Sequence, residues 1–190
     1  MNATEAMALV KKYNKDTYHI EHARAVGDVL AHFAETIDPD RIEYWRAVGI
    51  LHDVDYELHP DRHCIAGEEI LRAEGVEEEM IRSAMSHGWA MTGTPHEPEN
   101  EMDRVLYATD ELTGIIFAAK QMRPSRSTLD MNLKSVKKKF KDRKFAAGCD
   151  RDLIERGAAL LGMEIDVLLA MTLAGMQKGE AARAENTTDI

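Results

Sequence analysis

Cysteine is scarce: two residues in 190, Cys64 and Cys149, cannot build a disulfide framework or a paired zinc motif, so both are expected as buried free thiols. No run of eighteen apolar residues occurs, which argues against a membrane span or a membrane partner. The start of the chain carries Glu5 and no basic stretch leading into an apolar one, so no signal peptide is expected and the cytoplasm is the default location. Positive charge is also short, 24 Lys and Arg against 34 Asp and Glu. A net charge of -10 makes duplex nucleic acid a poor partner. No internal repeat is found.

What is there suits one soluble helical domain. Apolar residues make up 44% of the chain, enough for a hydrophobic core at this length. Ile20, Ala23, Val26, Leu30 and Phe33 recur at spacings of three and four behind the capping candidates Asp16 and Thr17. Ile42, Trp45, Val48 and Leu51 repeat the pattern after the turn Asp38-Pro39-Asp40. A third helix is expected from an Asp61 cap through Arg72, with His63 in its first turn, and a fourth over 77–86 with His87 at its end. A loop over 92–100 precedes a long apolar helix over 101–120 that carries Asp110 inside it, with Glu111 expected to be exposed. These readings give an all-α, compact, single-domain bundle over 1–178. The candidate metal-binding residues lie within about 18–120, and a polar tail over 179–190 is expected to be disordered.

The chemistry gathers around Ala47-Val48-Gly49-Ile50-Leu51-His52-Asp53, an apolar run ending in an imidazole beside a carboxylate. The pair offers one nitrogen and one oxygen to a divalent cation, and His22, His63, His87 and Asp110 are further ligand candidates. Each has a plainer reading: a solvated imidazole for His22, and a hydrogen-bonded helix terminus for His52 and His87. Asp110 is the sharpest of them, since a carboxylate buried in an apolar helix needs a cation or donors. Four histidines and two aspartates suit one or two divalent transition-metal ions (Fe, Mn or Zn) better than Mg²⁺, and Asp53 can bridge two ions through its two oxygens. A divalent ion activates water at neutral pH, which places His52 and Asp53 at the catalytic centre.

The basic residues are concentrated, with 12 of the 24 Lys and Arg between 120 and 156 against five acids. One reading is a solvated helix face held down by Val136 and Phe140. The other is a phosphate receptor made by Lys134, Lys137, Lys138, Lys141 and Arg143, with His96 of the 92–100 loop as a further substrate contact.

This pattern resembles the HD-domain superfamily of metal-dependent phosphohydrolases, an all-helical fold named for its His…His-Asp…Asp ligands. His22 matches the first histidine, His52-Asp53 the central pair and Asp110 the last aspartate. His63-Cys64-Ile65-Ala66-Gly67 is similar to the His-x-x-x-Gly helix start, and His87 to the following histidine, of two-metal members. The likeness reaches a group of small HD hydrolases through Asp110-Glu111-Leu112-Thr113-Gly114 and Val136-Lys137-Lys138-Lys139-Phe140. Asp53-Val54-Asp55-Tyr56 departs from members that cleave cyclic dinucleotides or alarmones, so neither substrate carries over.

The resemblance implies a metal-dependent phosphohydrolase acting on a small phosphorylated molecule, a phosphate ester with nucleotides among the candidates. A diiron oxygenase and a non-catalytic nucleotide-binding HD module are the rival expectations, because the superfamily fixes fold and metal better than reaction. A homo-oligomer is left open.

Overall fold

The computed structural model describes residues 1–188, with side chains to 185. Among the described residues it is helical throughout, with no strand. Helix α1 (Ala3–Tyr13) opens with a capping box, in which Asn2 accepts from the Glu5 N–H and the Glu5 carboxylate accepts from the Asn2 N–H. Helix α2 (Thr17–Ile37) is capped by Asp16, which accepts from the Tyr18 N–H. Helix α3 (Ile42–Leu51) follows a short 3₁₀ turn over Pro39–Arg41. Then come α4 (Ile65–Ala73), α5 (Glu78–Met85), α6 (Glu101–Gln121), α7 (Leu133–Lys141), α8 (Arg151–Leu160) and α9 (Ile165–Thr188).

The long helices α2 and α6 form the centre. Helices α3 and α9 pack on α2, α8 packs on α6, and α7 bridges α6 and α9. Where α2 packs on α3, Val26, Val29, Leu30 and Phe33 of the first and Val48 and Leu51 of the second join the core, and α6 contributes Leu106, Leu112, Ile115 and Ile116, all fully buried. Each such side chain contributes about 1.5–3 kcal/mol of transfer free energy. The α2–α3 crossing is unusually close: a Cβ on Gly49 would lie 2.9 Å from Gly27 Cα, so neither backbone leaves room for a side chain. That contact brings the first turns of α2 alongside the end of α3. No single helix among the described residues is long and apolar enough to cross a membrane.

Two expectations need correcting. The polar segment beyond Gly179 is not a disordered tail as far as the structure describes it, since α9 continues to Thr188; residues 189–190 lie outside the described residues. Small residues let it settle on α2: a Cβ on Gly175 would sit 2.9 Å from Val29 Cα, and one on Gly179 would overlap the Asp28 carboxylate. Asp28, nearly buried, pairs with Arg46 on α3 and with Arg183 at 2.5 Å, while Lys178 reaches Glu35 at 2.5 Å. Polarity here marks ion pairs between helices.

The second correction concerns His63, which precedes its helix rather than lying in the first turn. Pro60–Arg62 forms a separate 3₁₀ turn, and Cys64 adopts φ 67°, so α4 starts only at Ile65.

Candidate metal centre

Six side chains from five places in the sequence converge between α2, α3 and α6. His22 projects from α2, His52 ends α3 and Asp53 begins the turn after it. His63 comes from the segment before α4, His87 from a 3₁₀ turn over Ser86–Gly88, and Asp110 from the middle of α6. His52 is fully buried and His87 almost so.

The six fall into two groups with Asp53 between them. On one side, Asp110 Oδ1 lies 3.0 Å from His22 Nε2 and 3.2 Å from His52 Nε2, and Asp53 Oδ2 lies 3.3 Å from His52 Nε2 and 3.9 Å from His22 Nε2. On the other, Asp53 Oδ1 lies 3.3 Å from His63 Nε2 and 3.4 Å from His87 Nε2. One carboxylate therefore turns each oxygen to a different pair of imidazoles.

Local hydrogen bonds decide which ring nitrogen faces the centre. His52 Nδ1–H donates to the Gly49 carbonyl and His87 Nδ1–H to the Ala84 carbonyl, each at 2.7 Å and each three residues back. A histidine at a helix end thus uses the last carbonyls as an anchor. His63 Nδ1–H donates to Asp55 Oδ1 at 3.0 Å, and the other Asp55 oxygen accepts from the Gly67 N–H at 2.8 Å. This explains the His63…Gly67 spacing, since Gly67 supplies the N–H that fixes the carboxylate holding His63. A Cβ there would also fall 2.7 Å from Met85 Sδ.

These anchors leave the Nε2 atoms of His52, His63 and His87 pointing inward. His52 Nε2 is buried with no hydrogen-bond partner, and His63 Nε2 faces His87 Nε2 at 2.9 Å. Two acceptor nitrogens at that distance repel unless a cation or a proton lies between them. The donor set and its geometry fit divalent transition-metal ions. His22 differs, its Nδ1 being buried without a partner.

Electrostatics describe the same demand for positive charge. Burial pulls the His52 imidazole down, but Asp53 and Asp110 outweigh it and set it at about 10. Burial also lowers His63, and Asp55 with Cys64 brings it to about 9. Burial alone would raise both aspartates; the facing imidazoles, His52 above all, hold them well below the ordinary carboxylate range. Protons on imidazole do here what a metal ion would do.

A cavity of about 310 Å³ opens onto the centre. Tyr18, Tyr56 and Met91, each roughly half exposed, stand around its mouth, and Glu111, Gly148 and Cys149 line its far wall. Glu111 is thus not a solvated neighbour of Asp110. Burial, then the Asp110 charge, push its carboxyl up to about 7. Arg151 holds the wall in place by donating to the carbonyls of Phe145, Ala146 (2.6 Å) and Cys149 (2.8 Å).

The residues expected to receive phosphate are not brought here. Lys134, Lys137, Lys138 and Lys141 line a separate hollow on α7, and Lys137 pairs with Asp166. Arg143 pairs with Asp152, and His96 sits 3.0 Å from Glu68 on α4. Val136 and Phe140 bury the opposite face of α7, which turns its lysines outward. Among the described residues no Lys or Arg lines the metal-centre cavity. Reading the sequence alone missed Asp55 and Glu111; an acid two residues past His-Asp and another beside Asp110 were the available signals.

A family model of the HD domain matches residues 19–115, half of the chain and all six converging side chains. The chain belongs to the HD-domain family. No solved structure matches it. HD domains are in general metal-dependent hydrolases, and in this one the matched span runs from the first turn of α2 to the middle of α6.

Proposed function

We propose that this HD domain hydrolyses a small phosphate ester at a two-ion centre, with His22, His52, Asp53 and Asp110 holding one ion and Asp53, His63 and His87 the other. The observation that carries the reading is the division of the Asp53 carboxylate, Oδ2 toward one cluster and Oδ1 toward the second. Bound divalent ions would activate water and steady charge on the phosphoryl oxygens.

The chain's own residues do the rest. His52, His63 and His87 are locked by their Nδ1–H bonds, so their ligand atoms need no reorganisation when the centre fills. With no Lys or Arg among the described residues on the cavity wall, a phosphate is held by the ions and not by side-chain cations. Tyr18 and Tyr56, half exposed on the cavity wall, can meet the organic part of the ester. Glu111, whose carboxyl lines the same cavity beside Asp110, can carry a proton to a leaving oxygen.

The test is phosphate release from a panel of phosphomonoesters by protein loaded with Fe, Mn or Zn, beside Asp53→Ala. Turnover in the loaded protein, lost by at least about a thousandfold in the variant, supports the proposal. Ligand bound but recovered intact would make the domain a binding module. Substrate-dependent oxygen uptake by the iron form, without phosphate release, would make it an oxygenase.

A further inference from the structure

We propose that Cys64 is a thiolate ligand of the second ion, joining His63, His87 and Asp53, so that this site selects a thiophilic cation such as zinc, iron(II) or cobalt(II) over Mg²⁺. The inference rests on the two-ion reading above and adds a ligand to it. The Cys64 sulfur is fully buried and lies 3.8 Å from His87 Nε2. The ligand atoms of His63, Cys64 and His87 all fall within 4.8 Å of one another. Around a tetrahedral ion with bonds of about 2.3 Å to sulfur and about 2.0–2.1 Å to nitrogen, S–N edges come to about 3.6 Å and N–O edges to about 3.3 Å. The observed 3.8 Å, and the 3.3 and 3.4 Å from Asp53 Oδ1 to the two imidazoles, are close to those edges.

The backbone points the same way. Cys64 stands at φ 67°, ψ -41°, a strained conformation that side-chain-bearing residues rarely adopt. It occupies the N-cap of α4 without making a capping hydrogen bond, a place where Ser, Thr, Asp or Asn would stabilise the helix. The strained turn instead aims the side chain at the imidazole pair. Opposite it, Gly88 keeps the space open: a Cβ there would come 2.4 Å from Cys64 Sγ. With His63 Nδ1–H and His87 Nδ1–H committed to Asp55 and Ala84, the Cys64 sulfur is left facing His87 Nε2. On ion binding the sulfur–metal bond replaces the S–H bond, and the proton leaves to solvent.

The experiment loads the chelator-stripped full chain with cobalt(II) under anaerobic conditions and records stoichiometry and the ultraviolet–visible spectrum. Cys64→Ser and Cys149→Ser are treated in parallel, with circular dichroism for helix content. The proposal expects a near-ultraviolet thiolate-to-cobalt charge-transfer band in the wild type and in C149S. In C64S the band vanishes and one equivalent binds at least about tenfold more weakly. Should C64S not fold, the wild-type and C149S spectra decide, because the chain has two cysteines. Two bound cobalt ions with ligand-field bands but no charge-transfer band would overturn the proposal and leave the two-ion centre standing. A band that survives in C64S would also overturn it. No cobalt bound by the wild type would remove the two-ion reading itself.

Discussion

Asp55→Asn tests how the centre is held rather than what it holds. The wild-type carboxylate is fully buried and accepts twice, from His63 Nδ1–H at 3.0 Å and from the Gly67 N–H at 2.8 Å. An asparagine has one acceptor oxygen, and the Gly67 N–H, fixed by the start of α4, claims it. The amide NH₂ then faces His63 Nδ1, and the imidazole avoids a donor–donor clash by moving its proton to Nε2. That nitrogen points at Asp53 Oδ1, 3.3 Å away, and now carries hydrogen where a lone pair is needed. Loss of such a support costs about 10–100-fold in metal affinity, or about 1.4–2.7 kcal/mol. Losing the charge-assisted bond costs the fold about 1.5–3 kcal/mol as well. Competitive zinc titration against a chromophoric chelator should show two binding steps in the wild type, with only one of them weakened in D55N. Unchanged affinity at both steps would refute the view that the Asp55–Gly67 contact positions His63.

Three further outcomes follow from the geometry. Gly49→Ala should lower stability by about 1–3 kcal/mol in urea unfolding, because its Cβ meets the Val26–Gly27 backbone of α2 at 2.9–3.0 Å; an unchanged midpoint would mean the crossing is looser than observed. In the metal-free protein His52 sits at about 10 and His63 at about 9, both above the ordinary 6.5, so the stability they contribute is complete below pH 6.5 and is lost as pH rises through 9 and 10. Burial pushes the Cys64 thiol up, but His87 and His63 outweigh it and leave it at about 6; it opposes this trend between pH 6 and 9, one group against several. The melting temperature of the stripped chain should therefore fall across that alkaline range, and a flat profile would contradict the assignment. Replacing Lys134, Lys137, Lys138 and Lys141 together by Ala should leave kcat/KM for a small phosphate ester within about twofold, since none lines the cavity; a tenfold loss would show that α7 reaches substrate.

Much of the architecture can be read from the residues because its causes are local. Asp16 before an apolar stripe, and Asn100 before Glu101, cap the two central helices through their own side chains. The six converging residues were also visible as types placed at helix ends or inside an apolar face. What escaped depends on contacts between distant segments. The Lys-rich face of α7 carries the composition of a phosphate receptor, but Val136 and Phe140 decide which way it turns. The polar end of α9 resembles a tail until Asp28, on a helix 150 residues earlier, is seen between Arg46 and Arg183. Cys64 is the buried free thiol expected of it, but its positive φ leaves no mark in composition.

The central claim is that Asp53 stands between two metal ions. Elemental analysis of protein purified without chelator, or reconstituted with Fe, Mn or Zn, measures it directly beside Asp53→Ala and His52→Ala. About two equivalents per chain, reduced in both variants while helix content holds, is the result this account requires. A wild-type chain that binds no transition metal, before or after reconstitution, would contradict it.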